Sequence, residues 1–185
     1  MVILATGLVL FFGTHLVPSF VGFRSKLVDR LGEGPYKGLY SLFSLVGLIL
    51  IIYGKSKAQF HPVWDPSIWS RHLVIVVMIP ATYLLVAADA KSNIKRYMRH
   101  PMLMGIVLWS GAHLAANGDL ASIILFGSFL LYSLVAMISA NIRGAIKQEK
   151  VYPIKRDLIT LVISVVVYLV LIKYFHTYLI GIPIV

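Results

Sequence analysis

The chain has no cysteine and few charged residues, and both absences restrict its chemistry. Without a thiol in its 185 residues, it has no disulfide framework, no thiolate metal site and no cysteine nucleophile. Charged residues make up 13% of the sequence and hydrophobic residues 59%, and the mean hydropathy is +0.87. This composition excludes an ordinary soluble domain. We therefore predict one compact polytopic membrane protein, a single transmembrane domain over residues 1–185.

The excess of basic residues, a formal net charge of +10, indicates membrane topology rather than nucleic-acid binding. The cations lie in short connectors between apolar runs, where the positive-inside rule places them. Thirteen of the 17 Lys and Arg residues fall in the first, third and fifth connectors. We therefore expect these connectors to face the cytoplasm and both termini to lie on the opposite side, and we expect no nucleic-acid partner.

Six apolar runs are long enough to suggest an all-α bundle of about six transmembrane helices. We expect the first of them to be retained rather than cleaved as a signal peptide, because no basic segment precedes it. The predicted spans are Val2–Phe23, Tyr36–Gly54, Ile68–Asp89, Pro101–Ala116, Leu120–Asn141 and Leu158–Tyr178. Pro18 lies inside the first span and predicts a kink that packs against a neighbouring helix.

The stretch from Arg99 to Asp119 carries the clearest local signals. Pro101 suits the first position of a helix, where its missing amide would be unpaired in any case. Asn117 and Gly118 predict a tight turn, after which Asp119 can cap the fifth span. Asp157 is a similar candidate cap for the sixth span.

Two histidines lie inside apolar runs, where an ionisable side chain is a candidate for function. Counted from the cytoplasmic ends of their spans, His113 is about 18 Å deep and His15 about 12 Å deep. Such similar depths allow both imidazoles to ligate one haem from opposite faces, as helical bundles permit. The alternative is that each histidine makes a hydrogen bond to a backbone carbonyl or hydroxyl group within the bundle.

The other histidines and two arginines have interfacial positions. We expect His61 and His176 to be solvated and His72 to lie at the interface. His100 stands at the cytoplasmic interface, where it can cap the helix or pair with a neighbour. Arg24 and Arg99 can neutralise carboxylates there, such as the propionates of a bound haem, or bind anionic lipid headgroups, which makes membrane lipid the expected partner.

Several motifs together resemble the NnrU family of small bacterial membrane proteins. They are Gly13-Thr-His15-Leu-Val-Pro18-Ser19 with Arg24, Leu39-Tyr40-Ser41-Leu42, Arg99-His100-Pro101, and Ala112-His113-Leu-Ala-Ala-Asn117-Gly118-Asp119. The resemblance covers nearly the whole chain and implies location in the bacterial inner membrane. It also implies a link to nitrite and nitric oxide metabolism in denitrifying bacteria.

The plant and cyanobacterial 15-cis-ζ-carotene isomerases look like relatives of this family, and they use haem b. This resemblance implies that His15 and His113 are haem ligands, that His100 has a supporting role, and that the substrate is lipid-soluble. It thus implies haem-dependent isomerase or oxidoreductase chemistry. The isomerases also carry a thiol and a further histidine one span later, for which this chain has no counterpart.

Two other functions remain open at this point. One is a non-enzymatic membrane assembly or transport factor for a nitrogen-oxide pathway, in which the histidines are structural. The other is a membrane methyltransferase of the isoprenylcysteine carboxyl type, since those enzymes also carry an Arg-His-Pro triplet. Glu149 is the one acidic residue between Ile142 and Pro153, where methyltransferases of this type carry several.

Overall fold

The computed structural model describes residues 1–180, and its secondary structure there consists of helices with one isolated β-bridge. The all-α prediction is confirmed. A short 3₁₀ turn, Val17–Ser19, follows the first helix, and a π-helix, Leu171–Ile180, continues the last one. The α-helices are α1 (Val2–Leu16), α2 (Val21–Leu31), α3 (Glu33–Ser56), α4 (Ile68–Asp89), α5 (Ile94–Tyr97), α6 (Pro101–Ala116), α7 (Leu120–Ile142) and α8 (Ile154–Val170).

Five helical segments are long and apolar enough to cross a membrane, which makes this a multi-pass membrane protein. They are Val2–Ser19, Glu33–Ser56, Ile68–Asp89, Leu120–Ile142 and Ile154–Tyr178. The remaining predicted span, α6, is apolar but has 16 residues, which corresponds to about 24 Å of helix. It is therefore shorter than the roughly 30 Å of a typical hydrocarbon core.

The first span ends earlier than the sequence predicts, because Pro18 breaks it. Proline has no amide hydrogen to donate and crowds the preceding turn, so an α-helix does not continue through it without cost. The helix α1 stops at Leu16, and the chain then passes through the 3₁₀ turn into α2. A second helix thus occupies most of the segment that we predicted as a connector.

Two of the three predicted helix starts are confirmed. Pro101 is the first residue of α6, and the Asp119 carboxylate accepts a 3.0 Å hydrogen bond from the amide of Ser122 at the start of α7. The predicted cap at Asp157 is wrong, since α8 begins at Ile154 after Pro153. Asp157 instead binds Asn93, which is 64 residues away in the sequence.

The chain divides into two compact units. Unit 1 consists of Met1–Val63 and Asp119–Ser128, and unit 2 of Trp64–Gly118 and the chain from Phe129 onward. The prediction of one domain over the whole chain stays a prediction.

Unit 1 is built on the antiparallel pair α1 and α3, whose backbones touch at three glycines. A Cβ atom at Gly7 would lie 2.7 Å from the Ile51 amide nitrogen, and one at Gly47 would lie 2.9 Å from the Phe11 nitrogen. At Gly54 it would overlap the backbone of Leu4. Small residues at such crossings let two membrane helices approach closely, and the gain is van der Waals contact along their length.

Unit 2 is built around α4, which packs against both α6 and α8. Gly105 of α6 lies close to α4, since a Cβ there would be 3.0 Å from the Ala81 carbonyl oxygen. From α8, the Tyr168 hydroxyl donates a 2.9 Å hydrogen bond to the carbonyl of Ile75. This bond satisfies the Tyr168 hydroxyl and joins α8 to α4, the helix that also contains Pro80.

Asn93 fastens the connector before α5 to the start of α8. Its amide nitrogen donates to Asp157 at 2.7 Å, and its side chain donates to the Tyr152 carbonyl at 2.8 Å. The Tyr152 amide donates back to the Asn93 side-chain oxygen at 2.9 Å. These bonds satisfy polar backbone groups outside the helices, so they hold Tyr152 and the first turn of α8 against this connector.

Candidate functional site

The helix α6 carries His113 on its buried face, near its C-terminal end. The residue is 9% exposed, and Ser110 and Ala112 of the same helix are also buried. The close approach at Gly105 holds α6 against α4. A rigid helix therefore positions an imidazole away from solvent, where a polar group requires partners.

The His113 ring is oriented by its own helix. Its Nδ1 lies 2.8 Å from the carbonyl oxygen of Trp109, so Nδ1 carries the hydrogen and donates it. In the neutral imidazole, the lone pair then resides on Nε2. A metal-ligating histidine commonly donates its other N–H in this way, to a carbonyl group that fixes the ring.

A second histidine of unit 2, His176, lies beside His113. Their ring centres are 6.3 Å apart and their planes are within 17° of parallel. His176 is half-buried on the π-helix, and its Nδ1 donates to the Leu171 carbonyl at 2.9 Å. Both imidazoles therefore have their Nδ1 hydrogen bonded to the backbone, which leaves the lone pair on Nε2 in each neutral ring.

The donor set of this pair fits a haem better than a bare metal ion. If the Nε2 atoms of two imidazoles faced one metal from opposite sides, with a metal–nitrogen bond of about 2 Å each, the ring centres would be roughly 6 Å apart. Within residues 1–180, no group of three or more potential metal ligands occurs. A zinc site requires at least three protein ligands, whereas a porphyrin supplies four nitrogen ligands itself and needs two axial ones.

His15 lies in unit 1 and is bound to its own helix. Its Nδ1 donates to the Phe11 carbonyl at 2.8 Å, its ring stacks on Phe11 with centres 4.1 Å apart, and the Tyr40 ring is 5.5 Å away. Both His15 and His113 thus make the hydrogen bond to a backbone carbonyl that we gave as the alternative to haem ligation. Since this bond uses Nδ1 alone, it leaves a role for Nε2 as a ligand untested.

The three basic residues predicted to support the site, Arg24, Arg99 and His100, contact other side chains. Arg24 lies over the Tyr36 ring, 5.7 Å from its centre. Arg99 and His100 both reach the Asn141 side-chain oxygen, at 3.4 and 3.0 Å. His100 and His113 stand at opposite ends of α6, about 20 Å apart along its axis. Their support of a shared cofactor stays a prediction.

A polar cluster of Lys55, Asp119 and Ser122 lies in unit 1 at the start of α7. The Lys55 ammonium group donates to Asp119 Oδ1 at 2.9 Å and to the Ser122 hydroxyl at 2.7 Å. Next to it, Pro62 pairs with Asp119 in the isolated β-bridge, and the Leu120 amide donates to the His61 carbonyl. Burial acts to raise the pKa of Asp119, but the hydrogen bonds from Ser122 and Lys55 outweigh it and hold that pKa below its usual value.

We expect Asp119→Asn to lower the melting temperature of the protein at pH 7. The folded-state pKa is depressed, so the charged cluster stabilises the fold above the unfolded-state pKa of the carboxyl group and this contribution is lost as the pH falls through the folded-state pKa. Hydrogen bonds to a charged group contribute about 2 kcal/mol. Melting of the purified protein in detergent between pH 7 and pH 3 measures the effect.

The matched control is Asp65→Asn, because Asp65 is exposed. The wild type and Asp65→Asn should lose stability in parallel as the pH falls, and the difference from Asp119→Asn should shrink at acid pH. Equal melting temperatures of the wild type and Asp119→Asn at pH 7 would contradict the contribution of this cluster.

His176 is the neighbour that sequence reasoning missed. It was expected to be solvated like His61, which is indeed exposed, as is His72. A usable signal exists in the topology: the fourth and sixth predicted spans run in the same direction, and each carries a histidine near its far end. Counted from the outer ends of these spans, His113 lies three residues before Ala116 and His176 two residues before Tyr178, and this similarity pairs them.

Comparison with known protein families identifies the family of this chain. A family model described as "NnrU protein" matches residues 3–184. No curated protein and no solved structure shows significant similarity to the chain. The match to the family model covers nearly all of both units.

Proposed function

The chain belongs to the NnrU family, and from that premise we propose that it is an integral membrane protein that binds haem b through His113. The observation that carries the proposal is the pair of near-parallel imidazoles of His113 and His176, with ring centres 6.3 Å apart. Haem supplies a one-electron centre whose potential depends on its axial ligands and on burial. The proposed activity is redox or isomerase chemistry, with a nitrogen oxide or a lipid-soluble polyene as substrate.

The protein would orient the His113 imidazole and exclude water from the haem. His113 is held by α6 against α4, and its Nδ1–H is fixed by Trp109. The Trp109 ring packs edge-on against Phe129, with ring centres 5.2 Å apart. These apolar neighbours lower the local dielectric constant, to which the potential of a bound haem responds.

Two residues would be candidates for a second protein ligand to the haem. His176 is supported by its distance from His113 and by its own backbone hydrogen bond. His15 is supported by the family resemblance and by its position inside α1, where its Nδ1 is also fixed by a carbonyl. The absorption spectra of single variants distinguish the two.

The proposal is tested by expression with a haem precursor, purification in detergent and an absorption spectrum. We expect a Soret band, a pyridine haemochrome spectrum of b-type haem, and about one haem per chain. If the protein is folded but purifies without haem under these conditions, the proposal is wrong. A partner protein that then co-purifies would favour the non-enzymatic assembly factor.

A further inference from the structure

Unit 2 contains a cavity between two of the basic connectors, the one before α6 and the one before α8. Its volume is about 420 Å³, which is within the range of sites for small ligands. Both connectors supply cations to its wall, although α6 and α7 separate them in the sequence. The lining residues are Lys95, Arg99, Ile146, Lys147, Gln148 and Glu149.

The charges at this cavity favour an anion. Three of the lining residues are cations and one, Glu149, is a carboxylate, which leaves a net charge of +2. The positive-inside rule accounts for cations within each connector, but it does not require the cations of two connectors to line the same cavity. Like charges that converge repel each other, and an anion between them offsets this repulsion.

Hydrogen bonds hold the two walls of the cavity together. The Gln148 amide donates to the Lys95 carbonyl at 3.0 Å, and the Gln148 side chain donates to the Ser92 carbonyl at 3.3 Å. Asn93 and Tyr152 join the same two connectors beside this point. The protein itself therefore fixes the walls, which lowers the entropy cost of binding a ligand between them.

The lining cations have donors to spare for a ligand. The Lys95 ammonium group, which has three N–H donors, makes a 3.1 Å hydrogen bond to the Ala88 carbonyl. The Arg99 guanidinium, which has five, makes one of 3.4 Å to the Asn141 side-chain oxygen. Lys147 is exposed. Hydrogen bonds from such cations to phosphate oxygens are short and strong, so a phosphate group suits this wall.

Exposed apolar side chains indicate that the ligand also has an apolar part. Ile146 lines the cavity and is 81% exposed, as is Ile142 at the end of α7. The helix α7 is one of the membrane spans, so these side chains lie near the boundary of the hydrocarbon core. Acyl chains can cover them there, whereas a free phosphate ion cannot.

From these observations we propose that the cavity of unit 2 binds the headgroup of an anionic phospholipid. Its phosphate oxygens accept hydrogen bonds from the three lining cations, and its acyl chains lie along Ile146. Basic pockets between membrane helices are suited to such headgroups. The proposal does not depend on haem binding, since the cavity lies at the N-terminal end of α6 and His113 near its C-terminal end.

The test is titration of the purified full chain in detergent with phosphatidylglycerol, followed by native mass spectrometry. We expect one lipid to bind saturably, and phosphatidylethanolamine with the same acyl chains to bind more weakly because it carries no net charge. Lys147→Gln removes one lining cation and should weaken the binding of phosphatidylglycerol about fivefold. Equal affinity of the wild type for the two lipids would overturn the proposal.

The matched control is Lys155→Gln, which makes the same change in net charge at an exposed residue near the cavity but outside its lining. This variant should bind phosphatidylglycerol like the wild type, whereas Glu149→Gln should bind it more tightly. If Lys147→Gln and Lys155→Gln bind it equally well, the lipid is attracted by the basic surface in general and the cavity is not its site.

A last comparison separates a lipid from a soluble anion. Glycerol 1-phosphate carries a phosphate group without acyl chains, so an equimolar amount should not displace phosphatidylglycerol. Ile146→Ser should weaken the binding of the lipid, because it removes the apolar contact while it keeps all the charges. Displacement by equimolar glycerol 1-phosphate would show that the cavity takes a soluble phosphate, and the lipid proposal would be wrong.

Discussion

His113→Ala is expected to purify with less than a tenth of the haem found in the wild type. The imidazole is the proposed ligand, and alanine offers no atom that can replace it. The variant also removes the side-chain hydrogen bond to the Trp109 carbonyl. The ratio of Soret absorbance to protein absorbance, measured after identical expression with haem precursor, gives the result directly.

A second variant separates ligand loss from misfolding. In His113→Gly the missing side chain leaves space that free imidazole can enter, and added imidazole should restore the Soret band. His72→Ala, which removes an exposed histidine, should retain full haem content. Haem retained at the wild-type level in His113→Ala would show that this residue is not a ligand.

The same measurement identifies the opposite ligand. We expect His176→Ala to change the absorption spectrum of the protein, because His176 lies beside His113 and would be a second ligand to a bound haem. If His15→Ala produces this change and His176→Ala does not, the pair expected from the family resemblance is correct. If neither does, only one protein ligand is present.

Gly54→Leu is expected to destabilise the protein by about 3 kcal/mol or more, the upper range for overpacking. Even a Cβ atom at this position overlaps the backbone of Leu4, and backbone cannot rotate away as a flexible side chain does. The helices α1 and α3 must therefore separate, and the contacts at Gly7 and Gly47 are lost with them. Thermal melting in detergent, followed by near-ultraviolet circular dichroism, measures the loss.

The control for Gly54→Leu is Gly38→Leu, which makes the same change on the same helix. A Cβ atom at Gly38 has no neighbour within 4 Å, and leucine has a better helix propensity than glycine. This variant should be neutral or slightly more stable. Equal melting temperatures of the two variants would show that α1 and α3 do not depend on close contact at Gly54.

Much of the fold is predictable because a membrane span is a long, local signal. The bounds of α4 and α6 agree with the predictions made from apolar length and from Pro101. The Asp119 cap is also local, since its donor is three residues away. The partner of Asp157 is not local, since Asn93 is 64 residues away in the sequence. No local pattern indicates that the Asp157 carboxylate binds the Asn93 segment.

The candidate site is less predictable because its contacts join residues that are far apart in the sequence. His113 stands out in the sequence because an ionisable side chain inside an apolar run is costly. Tyr36 does not, since a tyrosine near the end of a span is typical of an interfacial belt. Only the three-dimensional packing shows that its hydroxyl is buried and that none of the residues 1–180 makes a hydrogen bond to it.

The π-helix that continues α8 makes the direction of His176 sensitive to chain length. A π-helix closes its hydrogen bonds five residues back rather than four, and the His176 ring is fixed to the carbonyl of Leu171 at that interval. Deleting one residue from a helix turns everything beyond it by about 100°. A relative that lacked one residue between 171 and 176 would therefore aim this imidazole at a different neighbour, although no histidine had been replaced.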